Sequence, residues 1–131
     1  MFLPHKTAAG NVIPWETLPA DTITPKAGMA LIQAGGNLTI AAGSNAPAYI
    51  SMCDRDSACI AGDRIPVIRV DHDTIYETTN SAAFSSVKRG DKVALSSDGL
   101  QVTATSGGVA EVVDFDAAAE EGAGGKVYVR F

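Results

Sequence analysis

Residues 92–104 read KVALSSDGLQVTA, two short runs of alternating side chains on either side of an Asp-Gly pair. Asp-Gly between two such runs is a strong indication of a β-hairpin, because tight hairpin turns need backbone angles that Asp and Gly adopt readily. We therefore predict antiparallel strands at residues 92–96 and 100–104, joined by a turn at 97–99.

The hairpin belongs to a unit that occurs twice in the chain. Residues 26–69 align without a gap on residues 88–131, with ten of 44 pairs identical and five more exchanging similar side chains. The identical pairs are Lys26/Lys88, Gly28/Gly90, Leu38/Leu100, Ala42/Ala104, Ser44/Ser106, Ala48/Ala110, Asp54/Asp116, Ala61/Ala123, Gly62/Gly124 and Val67/Val129. Repetition of this kind indicates one supersecondary unit used twice. We expect each unit to bury half of one core, so that residues 26–131 form a single β domain with the units related by an approximate two-fold rotation.

Period-two patterns predict strands in the rest of the domain as well. They lie at residues 29–33, 37–40, 48–52, 64–70, 74–79, 109–115 and 126–131, while residues 116–121 predict a single helical turn. Pro66 lacks the N–H that a ladder needs, which predicts an edge strand or a bulge there. About nine short strands with frequent turn signals and almost no helix are typical of an all-β barrel or sandwich.

Residues 1–25 differ from the rest of the chain. Prolines at positions 14, 19 and 25 leave no periodic pattern, and proline favours extended backbone around it. We predict an extended N-terminal arm whose apolar side chains lie against a surface, either its own domain or a neighbouring subunit. The candidate contact residues are Val12, Ile13, Pro14, Trp15 and Leu18.

Composition narrows the classes of partner. The chain of 131 residues carries a net charge of −5, whereas nucleic-acid binding needs a basic stripe. No segment approaches the ~20 apolar residues of a membrane span. The first residues lack the apolar run of a secretory signal. We therefore expect a protein made in the cytoplasm, with neither nucleic acid nor membrane as partner.

The sequence supplies little that resembles catalytic chemistry. His72 lies between Asp71 and Asp73, but adjacent side chains on an extended segment point to opposite sides, which favours a solvated turn over a metal site or a base. The triplet at residues 54–56, Asp-Arg-Asp, is interpreted as a solvated loop that offsets its own charge. We predict no enzyme activity, no catalytic residues, no metal and no cofactor.

The two cysteines do not make a disulfide framework. Cys53 and Cys59 are interpreted as reduced, partly buried thiols, with a bridge across the short loop as the alternative.

The two repeated units resemble the small head proteins of tailed bacteriophages. The resemblance rests on Gly-x-Ala-Leu at residues 28–31, Pro-Val-x-Arg-Val at 66–70, and Gly-Asp-Lys-Val at 90–93, followed by Ser-Asp-Gly at 97–99 and Gly-Val-Ala-Glu-Val at 108–112. It covers residues 25–131 and extends to the capsid decoration (cement) proteins and the head fiber proteins.

This resemblance implies a specific fold and role. It implies a small β-barrel or β-tulip with an extended N-terminal arm, bound to the outside of the expanded shell, often as a homotrimer, where it stabilises the contacts of the major capsid protein. The location would be the virion exterior after synthesis in the bacterial host cytoplasm, and the family has no catalytic residues to transfer. Two alternatives remain open: a ligand- or carbohydrate-binding β module on a phage fibre or cell surface, using Trp15, Tyr49, Tyr76 and the loop 54–63, and another structural piece of the phage particle.

Overall fold

The protein is almost entirely β-structure, which confirms the all-β prediction. The computed structural model describes residues 1–7, 10 and 12–131. Over these residues the strands are β1 (Leu3–Thr7), β2 (Trp15–Pro19), β3 (Ala30–Ala34), β4 (Asn37–Ile40), β5 (Tyr49–Ser51), β6 (Arg64–Arg69), β7 (Thr74–Thr79), β8 (Lys92–Leu95), β9 (Val102–Ser106), β10 (Ala110–Phe115) and β11 (Lys126–Arg130). One short helix, α1 (Ala117–Glu121), begins after the N-cap residue Asp116.

The strands form two antiparallel sheets with a shared internal order. The five-stranded sheet runs β2-β6-β5-β3-β4, and the six-stranded sheet runs β1-β7-β11-β10-β8-β9. Strands β6-β5-β3-β4 of the first unit therefore have the same order as β11-β10-β8-β9 of the second. Strand β2 lies beside β6 as β7 lies beside β11, so each unit has five equivalent strands and β1 is an additional one.

One isolated bridge occurs at equivalent places in the two sheets. It joins Ala20, just after β2, to Leu38 of β4 in parallel. In the other sheet it joins Asn80, just after β7, to Val102 of β9 in parallel. The two units therefore share this bridge as well as a strand order.

Both units contribute to the main core. The larger buried cluster takes Ile50 and Ile68 from the first unit and Val112 and Val127 from the second, among others. A smaller cluster, built around Leu31 with its neighbours in the five-stranded sheet, belongs mostly to the first unit. Burying each such side chain contributes roughly 1.5–3 kcal/mol. Most of the conservative exchanges between the two copies thus fall at core positions.

The N-terminal segment lies on its own domain. Strand β1 pairs with β7, and β2 pairs with β6. Phe2 is fully buried, its ring meets the ring of Phe131 edge-on with centroids 5.5 Å apart, and its N–H donates to the carbonyl of Gly28 at 2.7 Å. The predicted arm of residues 1–25, of which residues 8, 9 and 11 lie outside the described part, thus supplies two strands to the sheets.

Pro66 lies in an interior strand, so the prediction of an edge or bulge at this position is wrong. β6 has β2 on one side and β5 on the other. Within an antiparallel strand the N–H and C=O of one residue face the same neighbour. The Pro66 carbonyl accepts from Met52 N at 2.9 Å, so the proline nitrogen also faces β5. It does so just beyond Ser51, where β5 has ended, so the strand pairing does not need the N–H that proline lacks.

Candidate functional site

The five predicted contact residues divide into an exposed and an inward-facing group. Val12 is 93% exposed and Trp15 is 63% exposed, and Pro14 between them is also exposed. Ile13 is partly buried against the larger core cluster, and Leu18 against the smaller one. We call Val12, Pro14 and Trp15 the Trp15 patch, because these three present apolar surface to solvent while the other two hold the segment down.

The patch begins an edge strand. Trp15 lies opposite Ile68 in the antiparallel pair of β2 and β6, and no further strand follows β2 in the sheet order of the described residues. Side chains alternate along a strand, which separates outward Trp15 from partly buried Leu18. The outer edge of β2 is open only at its start, because the Thr17 carbonyl accepts from Arg64 Nη2 at 2.6 Å, Pro19 has no N–H, and Asp21 N donates to the Leu38 carbonyl of β4 at 2.9 Å. The main-chain groups available to another extended chain are those around Trp15.

A groove of about 730 Å³ lies next to the patch. It is formed between the segment leading into β2 and the connection from β6 to β7. Its lining residues are Thr7, Val12, Ile13, Pro14, Glu16, Arg69, Val70, Asp71, His72 and Asp73. Apolar side chains and charged groups therefore occur together in one concave surface.

The charges of the groove are not balanced. Glu16 and Arg69 form a long ion pair, with Nε and Oε1 3.9 Å apart. Asp71 Oδ1 accepts from the backbone N–H of Asp73 at 2.9 Å. No cationic side chain of the described residues forms an ion pair with either Asp71 or Asp73, so the groove has an excess of negative charge.

His72 lies in an exposed turn. Its Nδ1 is 2.5 Å from the carbonyl oxygen of Phe131, and the turn closes with Thr74 N donating to Asp71 O at 3.1 Å. No group of three His, Cys, Asp or Glu side chains among the residues described here is arranged to hold a metal ion.

The charged loop at residues 54–56 is neutralised from outside the triplet. Lys26 Nζ lies 3.2 Å from Asp54 and 3.1 Å from Asp56, while Arg55 Nη1 lies 3.2 Å from Asp63. The prediction that the triplet offsets its own charge is wrong: Lys26 comes from a distant part of the sequence, and Arg55 pairs with Asp63 at the other end of the loop 54–63.

The two cysteines are free thiols in this structure. Cys59 is buried, and Arg55 Nη1 is 3.6 Å from its sulfur. Burial raises the pKa of the Cys59 thiol, and the nearby Arg55 guanidinium only partly opposes this. A thiol of this kind is protonated at neutral pH.

The aromatic side chains suggested for a ligand face are not together on the surface. Tyr49 and Tyr76 are both buried, and only Trp15 is exposed. Sequence reasoning also missed the groove residues from Arg69 to Asp73: Arg69 and Val70 were interpreted as the end of a strand, and residues 71–73 as a polar turn. No local pattern indicates that this turn and the segment around Pro14 form one concavity.

Comparisons with protein-family models, with curated proteins and with solved structures each found no match. No helix of the described residues is long and apolar enough to cross a membrane.

Proposed function

We propose that this protein is a structural virion component that binds the outer surface of a tailed-phage capsid and stabilises the shell. The observation that carries the proposal is the Trp15 patch: three neighbouring apolar side chains are exposed on a segment that the rest of the fold holds in place. Exposed apolar patches of this kind mark interaction sites, and Trp is among the residues that most often dominate the energy of an interface.

The sheet pairing supports a docking role for the N-terminal segment. Because β2 is already paired with β6, little conformational entropy is lost when a partner binds. The same pairing changes the expected mechanism: β2 acts as a preformed strand on the domain, with Val12 and Pro14 just before it, and the major capsid protein is the partner that adds to it. Each copy then needs only a modest affinity, because many copies act together on a closed shell.

A barrel or tulip shape and a homotrimeric assembly belong to the same proposal. The two bridges, at Ala20–Leu38 and Asn80–Val102, favour sheets that curl toward closure. The proposed location is the capsid exterior. The net charge of −5 suits a protein present at high local concentration, since like-charged copies resist nonspecific association.

The alternative of a carbohydrate-binding module has less support. Sugar sites generally use exposed aromatic faces, and of the three suggested rings only that of Trp15 is available. The single ring lies at a strand edge, where a polypeptide partner also gains main-chain hydrogen bonds.

The test is co-sedimentation with empty shells assembled from the major capsid protein encoded in the same genome. We expect the wild-type protein to sediment with expanded shells and Trp15→Ala to bind them at least about thirtyfold more weakly, as for a typical hot-spot residue. Ile60→Ala is the matched control, because Ile60 is 78% exposed but lies on the remote loop before β6. Failure of the wild type to bind refutes the function, and full binding by Trp15→Ala refutes the site.

A further inference from the structure

The groove beside the Trp15 patch combines two kinds of surface that together define a ligand. Val12, Ile13, Pro14 and Val70 supply its apolar lining. A side chain of four or five carbons that enters there is removed from water, and the gain scales with the apolar area buried. An apolar side chain is therefore one element of what the groove accepts.

The charged residues of the groove select the charge of the ligand. Glu16 already has Arg69 as a partner, whereas Asp71 and Asp73 have no ion pair within the described chain. Two uncompensated carboxylates within three residues repel an acidic ligand and attract a cationic one. Complementary charge of this kind sets partner choice and association rate.

The geometry of the surrounding backbone selects an extended ligand. Pro14 and Glu16, which flank Trp15, both line the groove, and the outer edge of β2 is available around Trp15. An added strand gains main-chain hydrogen bonds from such an edge and directs alternate side chains to the same surface. An apolar and a basic side chain two positions apart on one extended segment therefore point toward the groove together.

A second copy of this chain does not suit the groove. A second copy would have to present a basic segment, and the chain is acidic overall, with a net charge of −5. Six of its ten basic side chains are already in ion pairs with the chain's own carboxylates: Lys26, Arg55, Arg69, Arg89, Lys126 and Arg130. The occupant is therefore a different polypeptide.

The geometry points to an extended segment of a partner protein in which a Lys or Arg stands two positions from an apolar residue, so that both side chains lie on one face. The basic group binds Asp71 and Asp73, the apolar side chain lies against Val12 and Val70, and the backbone adds to the edge of β2. This inference rests on the proposed function for the identity of the partner, which would be the capsid subunit. The chemistry of the groove is independent of that identity.

The test uses three synthetic octapeptides with acetylated and amidated ends, each made of two copies of Val-Ser-Xaa-Ser in which Xaa is Lys, Ser or Glu. We call them the Val-Lys, Val-Ser and Val-Glu peptides. On an extended strand Val and Xaa point to one face and the other Ser residues to the opposite face. Trp15 is the only Trp of the chain, so its fluorescence reports binding beside the groove directly. We expect the Val-Lys peptide to bind, and the Val-Ser and Val-Glu peptides to bind about tenfold more weakly or not at all. Raising the salt to about 0.5 M should reduce this difference, because the charges are solvent-accessible.

The decisive variant is the double substitution Asp71→Asn and Asp73→Asn. At position 71 the new side-chain amide oxygen replaces the carboxylate oxygen that accepts from the backbone of residue 73, so the turn is retained while two charges are lost. We expect affinity for the Val-Lys peptide to fall about tenfold, with no change after Glu120→Gln and Glu121→Gln, which remove two exposed charges from α1. Equal affinity for all three peptides, no binding of the Val-Lys peptide, or no effect of the double substitution overturns the inference.

The same double variant separates this inference from the proposed function. If wild-type protein and the double variant bind expanded shells equally well, the basic segment is wrong and the capsid function stands. If the Val-Lys peptide binds as expected while shells do not bind, the capsid function is wrong and the chemistry of the groove stands.

Discussion

Replacing Asn80 by Ala should remove a buried hydrogen-bonding centre from the second unit. The Nδ2 of the fully buried Asn80 side chain lies 2.8, 2.9 and 2.8 Å from the carbonyl oxygens of Ala82, Ala119 and Gly122, which share its two N–H donors. Its Oδ1 accepts from Gly125 N at 2.8 Å. One side chain thus joins the end of β7 to α1 and to the segment that enters β11.

The size of the effect depends on the groups that lose their partner in the substitution. Gly125 is buried, and its N–H has no other hydrogen bond among those of the described residues, whereas the Ala119 carbonyl keeps the bond from Phe84 N at 2.8 Å. The Gly122 carbonyl is half-buried and regains water only in part. An orphaned buried polar group costs about 1–3 kcal/mol, so we expect Asn80→Ala to lower the free energy of unfolding by about 3 kcal/mol.

The measurement is urea unfolding followed by circular dichroism, with the free energy taken by linear extrapolation. Asn45→Ala is the matched control, because Asn45 is exposed and should change stability by less than about 0.5 kcal/mol. Ala20 occupies the equivalent bridge position in the first unit. The backbone at this position therefore does not itself require Asn. A loss below about 1 kcal/mol for Asn80→Ala would refute the argument that the buried polar groups of Gly125 and Gly122 depend on this side chain.

Three other substitutions test separate parts of the structure. Phe2→Ala should lower the free energy of unfolding by about 3 kcal/mol, since the ring is fully buried; a loss under about 1 kcal/mol in the same urea assay would mean that the N-terminal strand is not part of the folded unit. Gly28→Ala should lower the free energy of unfolding by about 2 kcal/mol more than Gly35→Ala. Both glycines have positive φ, but only at Gly28 would a Cβ lie 2.8 Å from a backbone nitrogen. Equal losses of stability in the two variants would exclude this close approach. The hydrogen bond from Arg89 holds the pKa of Asp114 below its ordinary value, so its stabilisation is present above about pH 4 and is lost as the pH falls through the lowered pKa. NMR titration of Arg89→Gln should show that pKa rising toward the ordinary value, and an unchanged titration would contradict the assignment.

The strands were largely predictable because their signals are local. Alternation and the turn residues place β8 and the other repeat strands within a few residues, and Asp-Gly at 98–99 identifies a hairpin turn. The returning strand β9 begins at Val102, two residues later than predicted, because the connection is wider than a tight hairpin. The repeat itself was visible because buried positions accept only similar side chains.

The candidate site was predictable only in part. Val12, Pro14 and Trp15 were found because apolar side chains among prolines are unusual in a solvated tail. Asp71 and Asp73 were not connected to them, since more than 50 positions separate the two segments in the sequence. Their proximity depends on β2 pairing with β6, and no local pattern encodes that pairing.

The amino-acid sequence alone determined the β class, the duplicated unit, the lack of a recognisable catalytic motif and the apolar character of the N-terminal segment, because these depend on side-chain periodicity and composition over short distances. Only the tertiary structure decided that Phe2 belongs to the core, that the segment supplies two strands, and that an acidic groove lies beside Trp15. The physical reason is that strand pairing and burial are long-range. An edge strand of five residues is stabilised by the sheet it joins, and a groove exists only where two distant segments are held side by side.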